Sequence, residues 1–449
     1  MEETIIAPIT APGHAAVGLI RLSGPSAKEL ALKLCSDAKR AIESPRSQIL
    51  TEILNPNSKE AIDSGLVTFF KAPNSFTGED VIEVALHGSP YLSSKFLELA
   101  QELGARLAAP GEFSKRAYLN GKVDLSQSEA ILDLINSETE LQAKMAKRQL
   151  SGELRGVVSD FGEPLRDLVA EVEAYIDFPE EDIEPEKPEQ WSRSLTDLIN
   201  QAQKYLESFS KGKVLRLGAE VCICGKPNAG KSSLLNALVG DQRAIVTDIP
   251  GTTRDSIEVR LQLDGLLVKL WDTAGLETGQ RQLDEVERIG IEKSKKRVSE
   301  ADLVLLVVDQ SAQADAELEE LLASVRQDSR DLLLIGNKSD LSGASHQEVD
   351  LLVSAKTGAG VSELCKQIRQ RLIGNNQASF FITNQRHADC LSKTRDSLEL
   401  ALRSIAENQA PELIAFEIRQ ALTSLDDIIG ITTTEDILGR IYSKFCVGK

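Results

Sequence analysis

The sequence has no excess of cationic residues, no cysteine array at metal-ligand spacing and no apolar stretch long enough to cross a bilayer. Each absence excludes a class. Lys and Arg number 51 against 69 Asp and Glu, a net charge of −18, so blanket nucleic-acid binding is not expected. Any RNA contact must come from a local basic surface. A membrane span would need about twenty consecutive apolar residues, and none is present. The segment Met1-Glu2-Glu3-Thr4 has no basic region leading into an apolar run, the mark of a secretory signal, so a cytoplasmic protein is expected. The six cysteines show no metal spacing, and a disulfide framework is not expected in the cytosol. Cys222 and Cys224, two apart on an apparent strand, share one face and read as core packing.

What is present is centred on Gly225-Lys226-Pro227-Asn228-Ala229-Gly230-Lys231-Ser232. The stretch before it, Glu220 to Cys224, reads as a strand, and Ser233-Leu234-Leu235-Asn236-Ala237-Leu238 after it starts a helix. A strand, a glycine-bounded loop and a helix N-terminus together make a phosphate-binding loop. The glycines let backbone N–H groups approach phosphates, and the helix dipole adds positive potential. Lys231 can reach the β- and γ-phosphates, and the Ser232 hydroxyl can ligate Mg²⁺.

Later motifs select the base. Leu270-Trp271-Asp272-Thr273-Ala274-Gly275 is a strand end with an Asp that can hold the metal through water and a Gly whose N–H can sense a γ-phosphate. An apolar strand, Leu332 to Gly336, leads into Asn337-Lys338-Ser339-Asp340. A carboxylate at Asp340 can accept both N1–H and the 2-amino group of guanine, donors that adenine lacks. Val353-Ser354-Ala355-Lys356 is a second base-contacting loop, and Gly251-Thr252-Thr253 lies where a switch threonine belongs. Each short motif is weak alone; their order points to GTP.

At 449 residues the chain is expected to hold about three domains. The expected fold class is multidomain: an N-terminal α/β domain over 1–118, a helical domain split between 119–212 and 376–449, and an inserted P-loop GTPase domain of Ras-like α/β type over 213–375. Strands are expected at Ala16–Gly24, Gly65–Phe70 and Val81–Gly88, and a helix over Pro25–Cys35 where Ala27, Leu30, Ala31 and Leu34 recur at three and four. Glu83 interrupts an apolar strand and reads equally as a solvated-face carboxylate or a buried ligand for a donor-rich partner. His87 reads as structural rather than catalytic. Pro110 to Lys122 is rich in Gly, Asn and basic residues, with a binding loop competing against a solvated face. Ser126-Gln127-Ser128-Glu129 reads as a capping box, Ser126 accepting from the backbone and Glu129 reaching back. A long helical region then runs to about Ile176, and Lys144, Lys147, Arg148 and Arg155 offer a local positive stripe. The acidic, Pro-containing stretch Glu180–Glu189 is a connector. Helices are expected at Trp191–Phe209, His387–Glu407 and Pro411–Leu425. The last two are expected to pack on the helices before residue 213, with the GTP-binding domain inserted between them.

Many small GTPases orient the attacking water with a Gln just after Asp-x-x-Gly. Leu276 stands there and cannot polarise water. Asp284-Glu285-Val286-Glu287-Arg288 offers carboxylates on the same segment, and Arg254 is a candidate finger that reads equally as a switch-region salt bridge.

Taken together, these residues resemble the bacterial tRNA uridine-modifying GTPase family (MnmE, also called TrmE). The likeness covers the whole chain and is carried by Phe76-Thr77-Gly78-Glu79-Asp80, Pro110-Gly111-Glu112-Phe113-Ser114, Asp248-Ile249-Pro250-Gly251-Thr252-Thr253-Arg254-Asp255, Asp284 to Gly290 and Phe445-Cys446-Val447-Gly448-Lys449. The resemblance implies GTP contacts from Asn228, Ala229, Gly230, Lys231, Ser232 and Ser233. The switch contacts it implies are Thr247, Asp248, Ile249, Pro250, Gly251, Thr252 and Thr253. The remaining contacts are Asp272, Thr273, Ala274, Gly275, Asn337, Lys338, Asp340, Ser354, Ala355 and Lys356. It implies Mg²⁺ on Ser232 and Thr253, and K⁺ on Asn228, Thr247, Ile249 and Thr252, with K⁺ supplying the charge of an arginine finger. Glu287 would position the water, with Lys231 as the other catalytic residue. A one-carbon tetrahydrofolate, 5-formyl or 5,10-methylene, would be held by Arg21, Glu83, Lys122 and Lys449, with Cys446 a candidate thiol. The N-terminal domain would dimerise into a homodimer. With an FAD-dependent partner protein the family adds an aminomethyl or carboxymethylaminomethyl group to C5 of the wobble uridine of certain tRNAs. Two rival readings are a ribosome-assembly GTPase switch, usually marked by an RNA-binding module after the GTPase domain, and a folate-dependent one-carbon enzyme with a regulatory GTPase domain.

Overall fold

A computed structural model of the chain describes residues 3–177, 187–241, 243–244, 258–272, 295–312, 315–341, 348–374, 382–431, 435–446 and 448. The chain divides into two compact units, Met1–Leu132 with Gln149–Glu163 and Leu425–Lys449, and Asp133–Arg148 with Pro164–Ser424.

The first unit opens with β1 (Ile5–Pro8), β2 (Ala15–Ser23), α1 (Ala27–Leu34), α2 (Ala38–Glu43), β3 (Ile49–Leu54), β4 (Ala61–Phe70), β5 (Val81–Gly88), α3 (Pro90–Glu102), β6 (Arg106–Leu107) and α4 (Glu112–Leu119). Its sheet has the order β3-β4-β5-β2-β1-β6. All its neighbouring pairs are antiparallel except β1 with β6. The helical spacing of Ala27, Leu30, Ala31 and Leu34 puts all of them in the core against Ile20, Leu22, Val67, Phe69, Ile82 and Val84. Each such large aliphatic or aromatic side chain contributes about 1.5–3 kcal/mol by burial.

The central helices are α5 (Leu125–Ile135), α6 (Glu140–Leu150), α7 (Glu153–Asp177) and α8 (Lys187–Leu217). The cap of α5 differs from the expected Ser126/Glu129 box. Asp124 Oδ1 accepts from Gln127 N at 2.8 Å and Gln127 Oε1 accepts from Asp124 N at 2.9 Å. The reciprocal pair therefore sits two residues earlier, and Ser126, fully buried in the first turn, donates to Asp124 instead. An Asp accepts from the N3 amide as well as Ser does, and Gln replaces Glu as the returning arm.

The second unit continues with β7 (Ala219–Cys224), α9 (Lys231–Asp241), β8 (Arg243–Ala244), β9 (Glu258–Leu263) and β10 (Leu266–Asp272). Then come α10 (295–300), β11 (Leu303–Asp309), α11 (Ala316–Asp328), β12 (Leu332–Asn337), β13 (Leu351–Leu352) and α12 (Val361–Ile373). The helices α13 (Gln385–Ala406), α14 (Pro411–Asp426) and α15 (Glu435–Tyr442) follow. The sheet order is β13-β12-β11-β7-β10-β9-β8. Its strands from β13 to β10 are parallel and β9 is antiparallel to β10. Leu303 to Val307 are fully buried, the continuous apolar run of a strand covered on both faces. Cys222 and Cys224 pack with Val304, Leu306 and Leu321. Burial raises the Cys224 thiol well above its ordinary range and pushes Cys35 in the first unit up to about 12, so both stay protonated core groups.

The helices that flank the nucleotide-binding stretch in sequence, α8 and α13, pack along each other. Arg395 Nη1 donates to Gln203 Oε1 across them at 3.0 Å. No helix among the described residues is long and apolar enough to cross a membrane.

Candidate nucleotide and cofactor sites

The C-terminal ends of β7, β10, β11 and β12 converge, the place where an open parallel sheet binds its ligand. Register places Asp272 beside Ile223 and Asn337 beside Asp309. Between β7 and α9 the loop adopts left-handed backbone at Gly225 (φ 147°), Asn228 (φ 63°) and Gly230 (φ 90°). Both glycines answer to packing as well as to the expected phosphate approach. A Cβ on Gly225 would lie 2.3 Å from Val307 O, and one on Gly230 would lie 2.3 Å from Asn337 Nδ2. Lys231 Nζ donates to Gly225 O at 2.9 Å and to Lys226 O at 3.0 Å, so the ammonium lies across the mouth of the loop. Lys226 turns away, paired with Asp315 and Glu317 at 2.6 Å each. Ser232 and Ser233 are exposed in the first turn of α9.

The two loops expected to read the base are built onto this loop through Asn337, which is 1% exposed. Its Nδ2 donates to Ala229 O at 3.0 Å and its Oδ1 accepts from Ala355 N at 3.0 Å. One amide thus ties the phosphate loop to both candidate base-contacting loops, and an amide has the donor and the acceptor needed. Asp340 is exposed and its Oδ1 accepts from Ser354 Oγ at 2.6 Å. That hydrogen bond lowers the Asp340 carboxyl below its ordinary range, keeping it an acceptor at neutral pH. Lys338 sits at φ 63°, uncommon for a residue with a Cβ. Ala355 N completes the contact to Asn337, and Lys356 stands beside it on the same loop. Among the site residues expected from sequence, Thr247, Asp248, Ile249, Pro250, Gly251, Thr252, Thr253, Thr273, Ala274, Gly275, Glu287 and Lys449 lie outside the described residues. So do Leu276 and Arg254.

In the first unit, Arg21 and Glu83 are direct cross-strand partners on β2 and β5. Glu83 Oε1 accepts from Arg21 Nε at 2.9 Å and Nη2 at 2.8 Å. The Arg21 guanidinium lies 4.9 Å from the Phe76 ring centroid and 5.6 Å from that of Phe113. Glu83 is therefore paired and only about one-fifth exposed (18%), which sets aside the solvated-face reading. Lys122 Nζ donates to Pro73 O at 2.9 Å. His87 is exposed, its Nδ1 2.7 Å from Asp63 Oδ1, while its backbone N–H donates to Asp63 Oδ2. Asp63 thus holds both the ring and the backbone N–H of His87.

The two short acidic motifs of this unit meet on one arginine. Arg116 Nη1 lies 3.1 Å from both carboxylate oxygens of Glu79, and its Nη2 lies 3.1 Å from Glu112 and 2.9 Å from Glu3 O. Ser23 Oγ donates to Glu79 Oε2 at 2.6 Å. The pattern over 110–122 leaves a binding loop and a solvated basic face in competition. Most of it is α4, started by a left-handed Gly111 (φ 68°) without a side-chain cap, so the usual helix-start signal is missing.

The C-terminal segment is docked in this same unit. Tyr442 and Phe445, 3% and 4% exposed, pack with Leu125 and Leu438. Gly111 N donates to Cys446 O at 3.5 Å, and a Cβ on Gly448 (φ 99°) would lie 2.1 Å from Pro8 O. The Cys446 side chain is exposed. Val447 lies outside the described residues.

A glycine-bounded loop at the end of a central parallel strand, tied by one asparagine to a guanine-reading Asn-Lys-Ser-Asp loop, defines a P-loop GTPase. The chain belongs to the MnmE family of tRNA modification GTPases. The family model "MnmE helical domain" matches residues 125–446, and "GTP-binding protein TrmE N-terminus" matches residues 4–122. A tRNA modification GTPase MnmE of Aquifex aeolicus is 42% identical over 456 residues, covering 100% of both chains. One from Syntrophotalea carbinolica is 40% identical over 458 residues, covering 100% of this chain and 99% of the other. Among solved structures, Era of Aquifex aeolicus bound to GDP and AlF4⁻ is 26% identical, covering 40% of this chain and 67% of that chain, with a TM-score of 0.29.

Proposed function

We propose that this tRNA modification GTPase works on the wobble uridine. With an FAD-dependent partner protein it installs an aminomethyl or carboxymethylaminomethyl group on C5, taking the carbon from a one-carbon tetrahydrofolate. The observation that carries the reading is the Arg21–Glu83 pair. Arg21 occupies Glu83 Oε1 through two donors, while Oε2 makes no hydrogen bond among the described residues. A carboxylate fixed on one oxygen and open on the other suits the guanine-like donor edge of a pterin, and the cations of Lys122 and Lys449 suit the folate carboxylates. The bound folate supplies the one-carbon unit. The chain's own residues hold and orient it, with Cys446 on the docked tail of the same unit.

In the GTPase domain, Ser232 presents a hard oxygen from the first turn of α9, the donor type Mg²⁺ takes, with Thr253 as its companion. Asn228, exposed on its left-handed backbone, offers an amide oxygen suited to K⁺ with Thr247, Ile249 and Thr252. Glu287 positions water in place of the Gln that Leu276 displaces. The domains proposed are folate binding and homodimer formation over 1–118, the helical domain over 119–212 and 376–449, and the GTPase domain over 213–375, all in a cytoplasmic protein.

Removal of residues 446–449 touches no GTP motif. The truncated chain is expected to keep basal GTP hydrolysis and lose most wobble-uridine modification. Normal modification by the truncated chain would remove the tail from the site. Cys446→Ser separates thiolate chemistry from packing, since it keeps size and loses the thiol.

A further inference from the structure

We propose that Asp309 is a positioning residue for guanine binding, holding Lys338 where its stem can lie against the base. The inference rests on the reading of Asn337–Asp340 as the guanine loop and adds a residue that no base-reading motif contains.

Asp309 closes β11, and both of its oxygens are engaged. Oδ2 accepts from Lys338 Nζ at 2.7 Å. Oδ1 accepts from Ser311 N at 2.9 Å and from Ser311 Oγ at 2.6 Å. The pair is partly shielded, Lys338 being 31% exposed and Asp309 22%. Partial burial opposes ionisation of Asp309, yet the hydrogen bonds from Lys338 and Ser311 outweigh it and lower the carboxyl from its ordinary range. Asp309 is therefore a fixed anion at neutral pH, and Ser311 sets its direction.

The backbone beside it is equally fixed. Gln310 N donates to Asn337 O at 3.0 Å, so the residue after Asp309 is pinned to the residue before Lys338. Gly336 leaves room for the Gln310 side chain: a Cβ there would lie 2.5 Å from Gln310 Nε2. Lys338 itself is in left-handed backbone. A lysine in that conformation carries a flexible stem of four carbons, and tethering its ammonium removes most of that freedom before a ligand arrives. Preorganisation of this kind raises affinity without touching the reacting phosphates.

The arrangement separates two effects in one experiment. Binding of a fluorescent GDP analogue to the full chain is measured for wild type, Asp309→Asn, Lys338→Gln and the double variant, alongside kcat at saturating GTP and melting of the nucleotide-free protein. Asp309→Asn keeps an oxygen for Ser311 but turns an amide or a neutral oxygen toward the ammonium. The expected result is a rise in Kd of about tenfold, the scale of one charge-assisted hydrogen bond. The expected kcat and melting temperature are unchanged. In the Lys338→Gln background the same substitution is expected to add little, because the pair acts as a unit. Ser311→Ala, which frees Asp309 to rotate, is expected to give a smaller rise in the same direction, and it serves if an Asp309 variant fails to fold. Wild-type Kd in Asp309→Asn, or a full additive loss in the double variant, overturns the inference. Failure of the underlying reading looks different: wild type itself would not prefer GDP to ADP.

Discussion

Asn337 reaches from the end of β12 to Ala229 in the phosphate loop, Nδ2 to O at 3.0 Å, while its Oδ1 takes the amide of Ala355. The loops proposed to read phosphate and base are thereby joined by one side chain. Substitution by alanine leaves a buried carbonyl and a partly buried amide without these partners, each worth about 1–3 kcal/mol when unmet. Asn337→Ala is expected to weaken GDP binding by about two orders of magnitude or more. Equilibrium titration checks it, and a loss under threefold would contradict the coupling.

Base choice should follow Asp340 alone. Asp340→Asn replaces one acceptor by a donor, so the variant is expected to lose GTP and accept xanthosine triphosphate, whose base presents a carbonyl where guanine presents an amine. Competition between the two nucleotides measures this; continued preference for GTP sinks the role given to Asp340.

The Arg116 cluster makes an acid-stability prediction. Burial opposes ionisation of Glu112, but Arg106, the Ala109 amide and Arg116 together lower its carboxyl from the ordinary range. A carboxyl depressed in the folded state stabilises above its unfolded pKa, near 4.3 for Glu, and that contribution disappears as pH falls through the lower folded value. Chemical denaturation is therefore expected to give flat stability from about pH 7 to 5 and a decline below about 4.3 that Glu112→Gln makes shallower. Arg116→Met, which strands Glu79 in a site where Arg116 is 9% exposed, is expected to cost about 3–5 kcal/mol without changing GTP affinity.

Which parts were readable from sequence follows from where the chemistry lies along the chain. The phosphate loop, Asn337–Asp340 and Ser354–Lys356 put their donors and acceptors in contiguous residues, so short motifs single them out as candidates. The apolar spacing of Ala27, Leu30, Ala31 and Leu34 likewise gave α1. Partners distant in sequence were not legible. Glu79 and Arg116 are 37 residues apart, and Asp309 and Lys338 are 29 apart. Only the fold brings them together, although an Asp ending the apolar run Leu303–Val308 was a signal for the second pair. Pattern alone does not locate the α5 cap, because Ser126 and Glu129 fit the same three-residue spacing as Asp124 and Gln127. Burial of Ser126 decided between them, and pattern alone does not report burial.

The N-terminal site is tested by calorimetry with a reduced folate. Glu83→Ala removes the acceptor and also releases Arg21. Folate affinity is expected to fall by at least tenfold, the scale of a hydrogen bond to a charged group, with GTP affinity unchanged. Equal folate affinity would return the Arg21–Glu83 pair to a purely structural cross-strand role.

Hydrolysis is expected to require K⁺, with Na⁺ supporting little, and Glu287→Ala should bind nucleotide normally and lose most turnover. Equal rates in the two salts would remove the cation from Asn228.

The most direct measurement is mass spectrometry of tRNA nucleosides from cells lacking this protein, complemented with wild type or with Glu287→Ala. Wobble uridines carrying the aminomethyl-type group on C5 should vanish in the deletion, return with wild type and stay low with the variant. A normal nucleoside profile in the deletion would contradict the account.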